Sequence, residues 1–414
     1  DDFVKSETNI YGSNPDQIIR DQYSDGISDI KELASQVTYR LPIIAKKLFL
    51  DVDYTVGNTK TTSKRSTFDF DKTTNDYTSF SNLLSTDFKY SDKISRPGVE
   101  LEFKNEKWSA STELAFNNRT LENRDYLRPE TNLVREFNNL EYGFSTRYQK
   151  DRTSRYRLSY NFRNATPSLS QLQPFRDESN PLNIITGNPA LSPSKTHAIR
   201  LGASNFNWQS RTGFWSYGNI SFTNDGVVAN TIINPNTLIR ETSYANVDGF
   251  VNIRGGGSYS STKKWEDFGS LKTEFRVFGD YNKSINFNNG VQYSSKITSI
   301  SPNIGFDFSW DEVVTIRPSY TVSFSKNTYD IESFSNRNFT NHDVTVATST
   351  NFFKKVEWLN DVNYNYNPNI AAGFQRSAWF WNTTLRYSIL KDNGAISLRI
   401  YDILDQNTNA RRVA

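Results

Sequence analysis

Between residues 97 and 163 every second side chain is apolar, through four consecutive stretches joined alternately by a very short and a long polar connector. Val99, Leu101 and Phe103 alternate with Glu100, Glu102 and Lys104. After the break at Asn105 to Lys107, Trp108, Ala110, Thr112, Leu114 and Phe116 resume the apolar face opposite Ser109, Ser111 and Glu113. A second pair sets Leu140, Tyr142, Phe144 and Tyr148 against Glu141, Ser145, Arg147 and Gln149. Its return stretch sets Tyr156, Leu158, Tyr160 and Phe162 against Arg157, Ser159, Asn161 and Arg163. Successive residues of a strand point to opposite faces, so a period of two confines charge to one side of a sheet. The charge-free side suits lipid and the charged side suits an aqueous lumen, which is the grammar of a membrane β-barrel.

The composition agrees. No run of about 18 apolar residues marks a membrane helix, and the mean hydropathy of −0.66 is what results when lumen residues dilute lipid-facing ones. Aromatic residues make up 14% of the chain, with 22 Tyr, 29 Phe and 8 Trp, enough for interfacial girdles. A net charge of +3 without a basic stripe gives no support for a nucleic-acid partner. The absence of Cys excludes disulfide frameworks and thiolate metal sites, and Asp69 with Asp71 lacks the spacing of a calcium loop, so no metal and no cofactor is expected. The two histidines, His197 and His342, stand in no catalytic string, and no enzymatic activity is expected. His342 shares the parity of Val344 and Val346 and should face lipid. The chain starts at Asp1 without Met or a signal peptide and stops at Arg411 to Ala414 in polar sequence, so both ends read as cuts.

Extended along residues 1–414, read as one domain, the alternation predicts an all-β antiparallel transmembrane barrel with about 18 strands. They fall at 32–41, 47–57, 62–70, 80–90, 97–104, 108–117, 138–149, 155–163, 196–206, 212–223, 244–259, 268–281, 298–310, 313–325, 342–352, 356–367, 376–390 and 395–404. Connectors are short near 105, 151, 209, 263, 311, 354 and 392 and long near 127, 180, 233, 290, 333 and 371. Short turns belong on the periplasmic side and long loops outside, so residues 1–31 are expected to enter from outside. Residues 57–97 obey the pattern poorly.

The long connector from Asn164 to Thr196 carries Pro167, Ser168, Gln171, Leu172, Pro174, Asp177, Ser179, Asn180, Pro181, Leu182, Gly187, Asn188, Pro189, Leu191 and Pro193. This string resembles that of the Bacteroidota outer-membrane β-barrel family related to TonB-dependent transporters. Tyr401 to Asn407 is similar to a second string near the end of such barrels. The resemblance implies a barrel of about 22 strands, with three strands and a plug domain upstream of Asp1 and one strand after Ala414. It also implies outer-membrane lipid, the plug, TonB and a surface lipoprotein or other outer-membrane subunits as partners, with import of a nutrient as the activity. The other reading is a structural barrel subunit of a larger secretion or biogenesis complex.

Two groups of residues stand out. The proline-rich string folds over the rim as a structural element or contacts a ligand or partner. Glu100, Glu102, Glu113, Glu141, Arg147, Arg157 and Arg163 share the lumen wall, where they line it, meet a plug, or guide a substrate.

Overall fold

The structure, a computed structural model, describes residues 2–10, 16–266, 268–311, 313–352, 355–370, 373–389 and 393–406. In chain order the first strands are β1 (Asp2–Ile10), β2 (Asp16–Ile44), β3 (Leu48–Asp71), β4 (Asp76–Phe80), β5 (Thr86–Lys104), β6 (Trp108–Asp125), β7 (Leu133–Gln149) and β8 (Arg155–Ala165). A one-turn helix α1 (Leu169–Leu172) and the short strands β9 (Arg176–Asp177) and β10 (Asn183–Thr186) follow. Then come β11 (Ser194–Asn207), β12 (Thr212–Asn224), β13 (Gly226–Ile233), β14 (Arg240–Val247), β15 (Phe250–Trp265), β16 (Gly269–Asn288) and β17 (Val291–Trp310). The last are β18 (Val314–Tyr329), β19 (Arg337–Phe352), β20 (Val356–Tyr366), β21 (Ser377–Ile389) and β22 (Gly394–Ile400).

Eighteen strands form one antiparallel sheet in which neighbours in sequence are neighbours in space, except that β4 folds back on the end of β3 while β5 pairs with β3, and that β9, β10, β13 and β14 stand outside it. Those four make a separate sheet within the outer connectors, where β10 lies parallel to β14. The all-β antiparallel fold read from the sequence is the observed one. No helix among the described residues is long and apolar enough to cross a membrane.

Cross-strand partners point to the same face, and the ladders sort the chain as its alternation requires. Leu50 faces Leu101, Val52 faces Val99, Val99 faces Leu114, and Leu114 faces Tyr142. These side chains are uncovered: Leu101 is 40% exposed and Leu114 48%. A continuous apolar band of this kind is stable against hydrocarbon and not against water. On β3 it runs from Leu48 to Val56, matching the roughly nine to eleven residues that cross a bilayer at a tilt.

Several expectations are corrected. The segments 47–57 and 62–70 are one strand, β3, and 80–90 with 97–104 belong largely to one strand, β5; the two pair without interruption from Leu48 with Phe103 to Arg65 with Thr86. Residues 1–31 are not a simple outer lead-in. Asp2 to Ile10 pair with Asp16 to Ser24, so 32–41 is only the inner part of the 29-residue β2. The reason is common to both: beyond the bilayer both faces of a strand meet water, apolar alternation disappears, and the hydrogen-bonded ladder continues. The segment 244–259 divides into β14 and β15, with β13 and β14 forming an outer hairpin. The connector near 290 is a two-residue Asn289–Gly290 turn, both at positive φ (49° and 83°), which suits the right-handed twist of a hairpin. The strand expected at 395–404 ends at Ile400. Of the positions used in the sequence reading, Asp1, Asn407 and Arg411 to Ala414 lie outside the described residues, as do parts of the connectors near 311, 354, 371 and 392.

At the opposite, short-turn end, side-chain oxygens close the hairpins. Asn105 Oδ1 accepts from the amides of Lys107 and Trp108, Asp151 Oδ1 from Thr153 and Ser154, and Asn207 Oδ1 from Gln209 and Ser210. The Thr153 hydroxyl, the Thr153 amide and Ser154 together pull the Asp151 pKa down to about 2. A folded-state pKa below the unfolded value of about 3.9 gives stability that is present above that value and lost as pH falls through about 2. Amide-exchange protection at Thr153 and Ser154 should therefore be constant above about pH 4 and fall below it. Asp151→Asn should keep the turn with no such pH dependence, and Asp151→Ala should lose the protection at every pH.

Candidate functional site

The outer end of the polar face carries the only buried apolar cluster found among the described residues: Leu121, Phe137, Leu172 and Leu191, with Tyr90, Leu133, Val227 and Tyr244 packed around it. Leu121 and Phe137 project from β6 and β7 on the polar parity, since Leu121 faces Asp92 and Phe137 faces Arg119. Leu172 and Leu191 come from the proline-rich connector, which therefore folds inward across the mouth of the polar face. Leu172 is fully buried. Phe175 sits between Phe88 and the Arg128 guanidinium, 4.0 Å above its ring.

The residues of the string build this fold from within. Pro167 is buried ahead of α1, whose first turn is closed by a capping box in which the Ser168 amide donates to Gln171 Oε1 at 2.9 Å. Pro174 leaves α1 towards β9. Asp177 accepts from the Ser179 amide and Asn180 from the Leu182 amide, turning the chain at Pro181 so that β9 pairs with β10. The Gly187 amide donates to the Gln173 carbonyl at 3.0 Å; a Cβ there would overlap that carbonyl oxygen and lie 2.7 Å from the Gln173 nitrogen. Asn188 Nδ2 donates to the Tyr244 carbonyl and its Oδ1 accepts from Ala190, tying the connector to the β13–β14 hairpin. The Pro189 and Leu191 carbonyls accept from Arg135, and Pro193 leads into β11. Arg20 of β2 reaches the Ser179 and Glu178 carbonyls at 2.5 and 2.8 Å. Gly187→Ala, which pits a methyl group against fixed backbone, should expose the segment 164–193 to protease while leaving the barrel ladder intact.

Below this mouth the wall carries a carboxylate–guanidinium network. Arg96 Nη2 meets Glu113 at 2.6 Å, its Nε meets Glu141 at 3.2 Å, and its Nη1 lies 3.8 Å from Asp53. Arg163 takes the other oxygen of Glu113 at 2.6 Å. Glu141 is buried at 5% exposure. Gly98 makes room, because any Cβ there would lie 2.5 Å from the Asp53 carboxylate. Nearer the short turns, Arg40 grips Asp51 with two nitrogens and Glu102 at 3.0 Å. Glu100 lies in register between Asp51 and Glu113.

The structure thus brings Glu113, Glu141 and Arg163 together and places Glu102 in a second group. Arg147 and Arg157 stand apart, directly opposite each other on β7 and β8. Sequence reasoning missed Arg96, the hub, because its Pro97–Gly98 step looked like a strand start. It also missed Leu121, Phe137, Arg135 and Arg20, whose signal is an apolar or cationic residue on lumen parity beyond the bilayer. His197 and His342 each pair through Nδ1 with a tyrosine hydroxyl, Tyr160 and Tyr320, at 2.8 Å. Both histidines sit among aromatic rings of the apolar face, His342 as its parity requires. No group of His, Cys, Asp and Glu among the described residues has metal-binding geometry.

Compared with known families, residues 2–414 match the model of the outer membrane protein beta-barrel family. No curated protein matches the chain.

Proposed function

Because this chain belongs to the outer membrane protein beta-barrel family, and so to the outer membrane of Gram-negative bacteria, we propose that it forms the wall of a nutrient import route of the TonB-dependent kind. The observation that carries the reading is the inward fold of residues 164–193 over the mouth of the polar face. A solute entering the lumen from outside meets that lid before it meets the wall network of Arg96, Glu113, Glu141 and Arg163. The motif string shared with Bacteroidota barrels of that kind supports both the mechanism and the source. On this reading the lumen holds the protein's own plug domain, TonB supplies energy from the periplasm, and a surface lipoprotein sits over the mouth. The reading assigns no catalytic role, no cofactor, no metal and no nucleic-acid partner.

A second reading is favoured by a different observation. β3 runs 24 residues, and the portion beyond Val56 extends about 50 Å along the strand at roughly 3.3 Å per residue, well past the apolar band. Such a rib suits a structural subunit of a larger outer-membrane assembly. Purification of the native, full-length protein in mild detergent with mass spectrometry of its companions separates the two. Recovery alone or with a surface lipoprotein, together with loss of a growth substrate's uptake in a deletion strain, supports import. A defined multi-protein assembly with unchanged uptake overturns it.

A further inference from the structure

Several arginines of the wall are neutralised by acids, whereas one neighbouring group is not. Arg40, Arg96, Arg119 and Arg163 each hold a carboxylate. Arg147 and Arg157 are exposed on the lumen face, directly opposed across β7 and β8, and among the described residues neither has an ion pair. Arg200 stands beside them on β11, opposite Ser159 and Asn219, and is equally open. Like charges placed directly opposite on a ladder repel one another; the opposed acids Asp51, Glu100 and Glu113 of β3, β5 and β6 have Arg40, Arg96 and Arg163 on Asp51 and Glu113 to offset this, whereas the opposed arginines here have no carboxylate.

The same register continues into an aromatic surface. Arg157 faces Gly202, Gly202 faces Tyr217, Tyr217 faces Gly256, and Gly256 faces Phe278. Trp215, one lumen position nearer the short turn, has its ring centroid 6.0 Å from Tyr217 and 5.8 Å from Phe278. Gly256 is covered by the Phe278 ring, whereas a Cβ on Gly202 would meet nothing closer than 3.9 Å. Gly202 therefore leaves a recess between the guanidinium pair and the rings, two strand spacings or about 10 Å across. The cavity there measures about 570 Å³, is lined by Arg147, Arg157, Arg200, Trp215 and Tyr217 among others, and contains no carboxylate.

We infer that this recess binds a small organic anion, its carboxylate or phosphate held by the arginine cluster and its flat or apolar body laid against Trp215 and Tyr217. Guanidinium forks match planar oxyanions with two parallel hydrogen bonds, and a bound anion removes the repulsion between Arg147 and Arg157. The aromatic faces supply contact area that an inorganic ion does not use. The inference deepens the import reading by naming the chemistry of a ligand in the lumen. Its test reads binding in detergent without energised transport, so either can fail while the other stands.

The test titrates the purified full-length protein with 1-naphthoate, using uncharged 1-naphthamide of the same shape as control, and follows tryptophan fluorescence and heat. The expected result is saturable binding of the acid in preference to the amide. Arg147→Gln with Arg157→Gln and Arg200→Gln should weaken it by about tenfold or more, and Trp215→Leu should weaken both probes while keeping the preference for charge. Lys64→Gln, on the opposite face of the sheet, should leave binding unchanged. Removing opposed like charges does not threaten folding, and the corresponding triple lysine variant, which keeps the charge without the fork, should fall between the two. Equal binding of acid and amide, or undiminished binding in the triple glutamine variant, overturns the inference. So does absence of binding in the wild type with a lowered melting temperature in the triple variant, which would assign the arginines to an acidic segment of the protein's own chain.

Discussion

Replacement of Leu172 by alanine should release the outer lid as a unit while leaving the barrel folded. Leu172 and Leu191 are the fully buried anchors that the connector contributes to the mouth cluster. Large-to-small substitution at such a site costs about 2–5 kcal/mol. Ordering backbone costs on the order of 1 kcal/mol per residue, so a segment of this length held by so few apolar anchors lies near the low-stability end of the structure, where a loss of that size opens it locally. Leu172→Asp adds the cost of a buried unpaired carboxylate and should open it outright. Amide exchange should show lost protection at Ile184 to Thr186 of β10, and in the β14 register that pairs with it, with the β6–β7–β8 ladder unchanged. Protection of β10 that survives Leu172→Asp would show that the lid is held by something other than the Leu121–Phe137 surface.

The second large effect is at Arg96. Its guanidinium is the shared partner of Glu113 and Glu141 and the nearest cation to Asp53. Arg96→Met leaves Glu113 on β6 to Arg163 alone, beside Glu141 on β7, which is nearly buried, and takes the guanidinium from Asp53 on β3. Stranding buried partners in this way costs about 3–5 kcal/mol, and the water-facing side of the network places the expected loss near the lower figure, about 3 kcal/mol. Unfolding in urea or by heat, read from the loss of barrel strand signal, should show it at neutral pH. Adding Glu113→Gln and Glu141→Gln to Arg96→Met should restore most of the loss, because neutral amides do not repel. An Arg96→Met protein as stable as the wild type would mean that Arg163, the Asn117 and Asn164 donors and solvent satisfy these acids without Arg96.

The bilayer decides how much of this was legible. Where hydrocarbon touches the sheet, as at Val99 to Phe103 and Trp108 to Phe116, one face must be apolar and the alternation is written into the chain. From Asn58 to Arg65 both faces of β3 meet water. Thr59, Thr61 and Ser63 then look no different from Thr62 and Lys60, and one strand reads as a break. The Asn289–Gly290 turn was open to a local reading, since those residues tolerate positive φ, but the polar strand ends beside it looked like loop. In the site, parity alone placed Glu113, Glu141 and Arg163 on one face. It could not supply Arg96, whose neighbours Pro97 and Gly98 disguised it, nor the inward fold of the lid, which depends on Leu121 and Phe137 pairing with residues distant in sequence. The opposed placement of Arg147 and Arg157 is a matter of register, and register between strands is fixed by turns and ladders, not by residue type.

The central claim is that one residue parity of this sheet faces lipid and the other an aqueous lumen. The chain has no cysteine, so single cysteines can be placed without background for nitroxide labelling in native outer membranes. Labels at Val99→Cys, Leu101→Cys and Leu114→Cys should relax strongly with membrane-soluble oxygen and weakly with a water-soluble nickel chelate. Labels at Glu100→Cys, Glu102→Cys and Glu113→Cys should show the reverse, giving an oscillation of period two along β5. Equal accessibility of the two parities to both reagents would contradict the account.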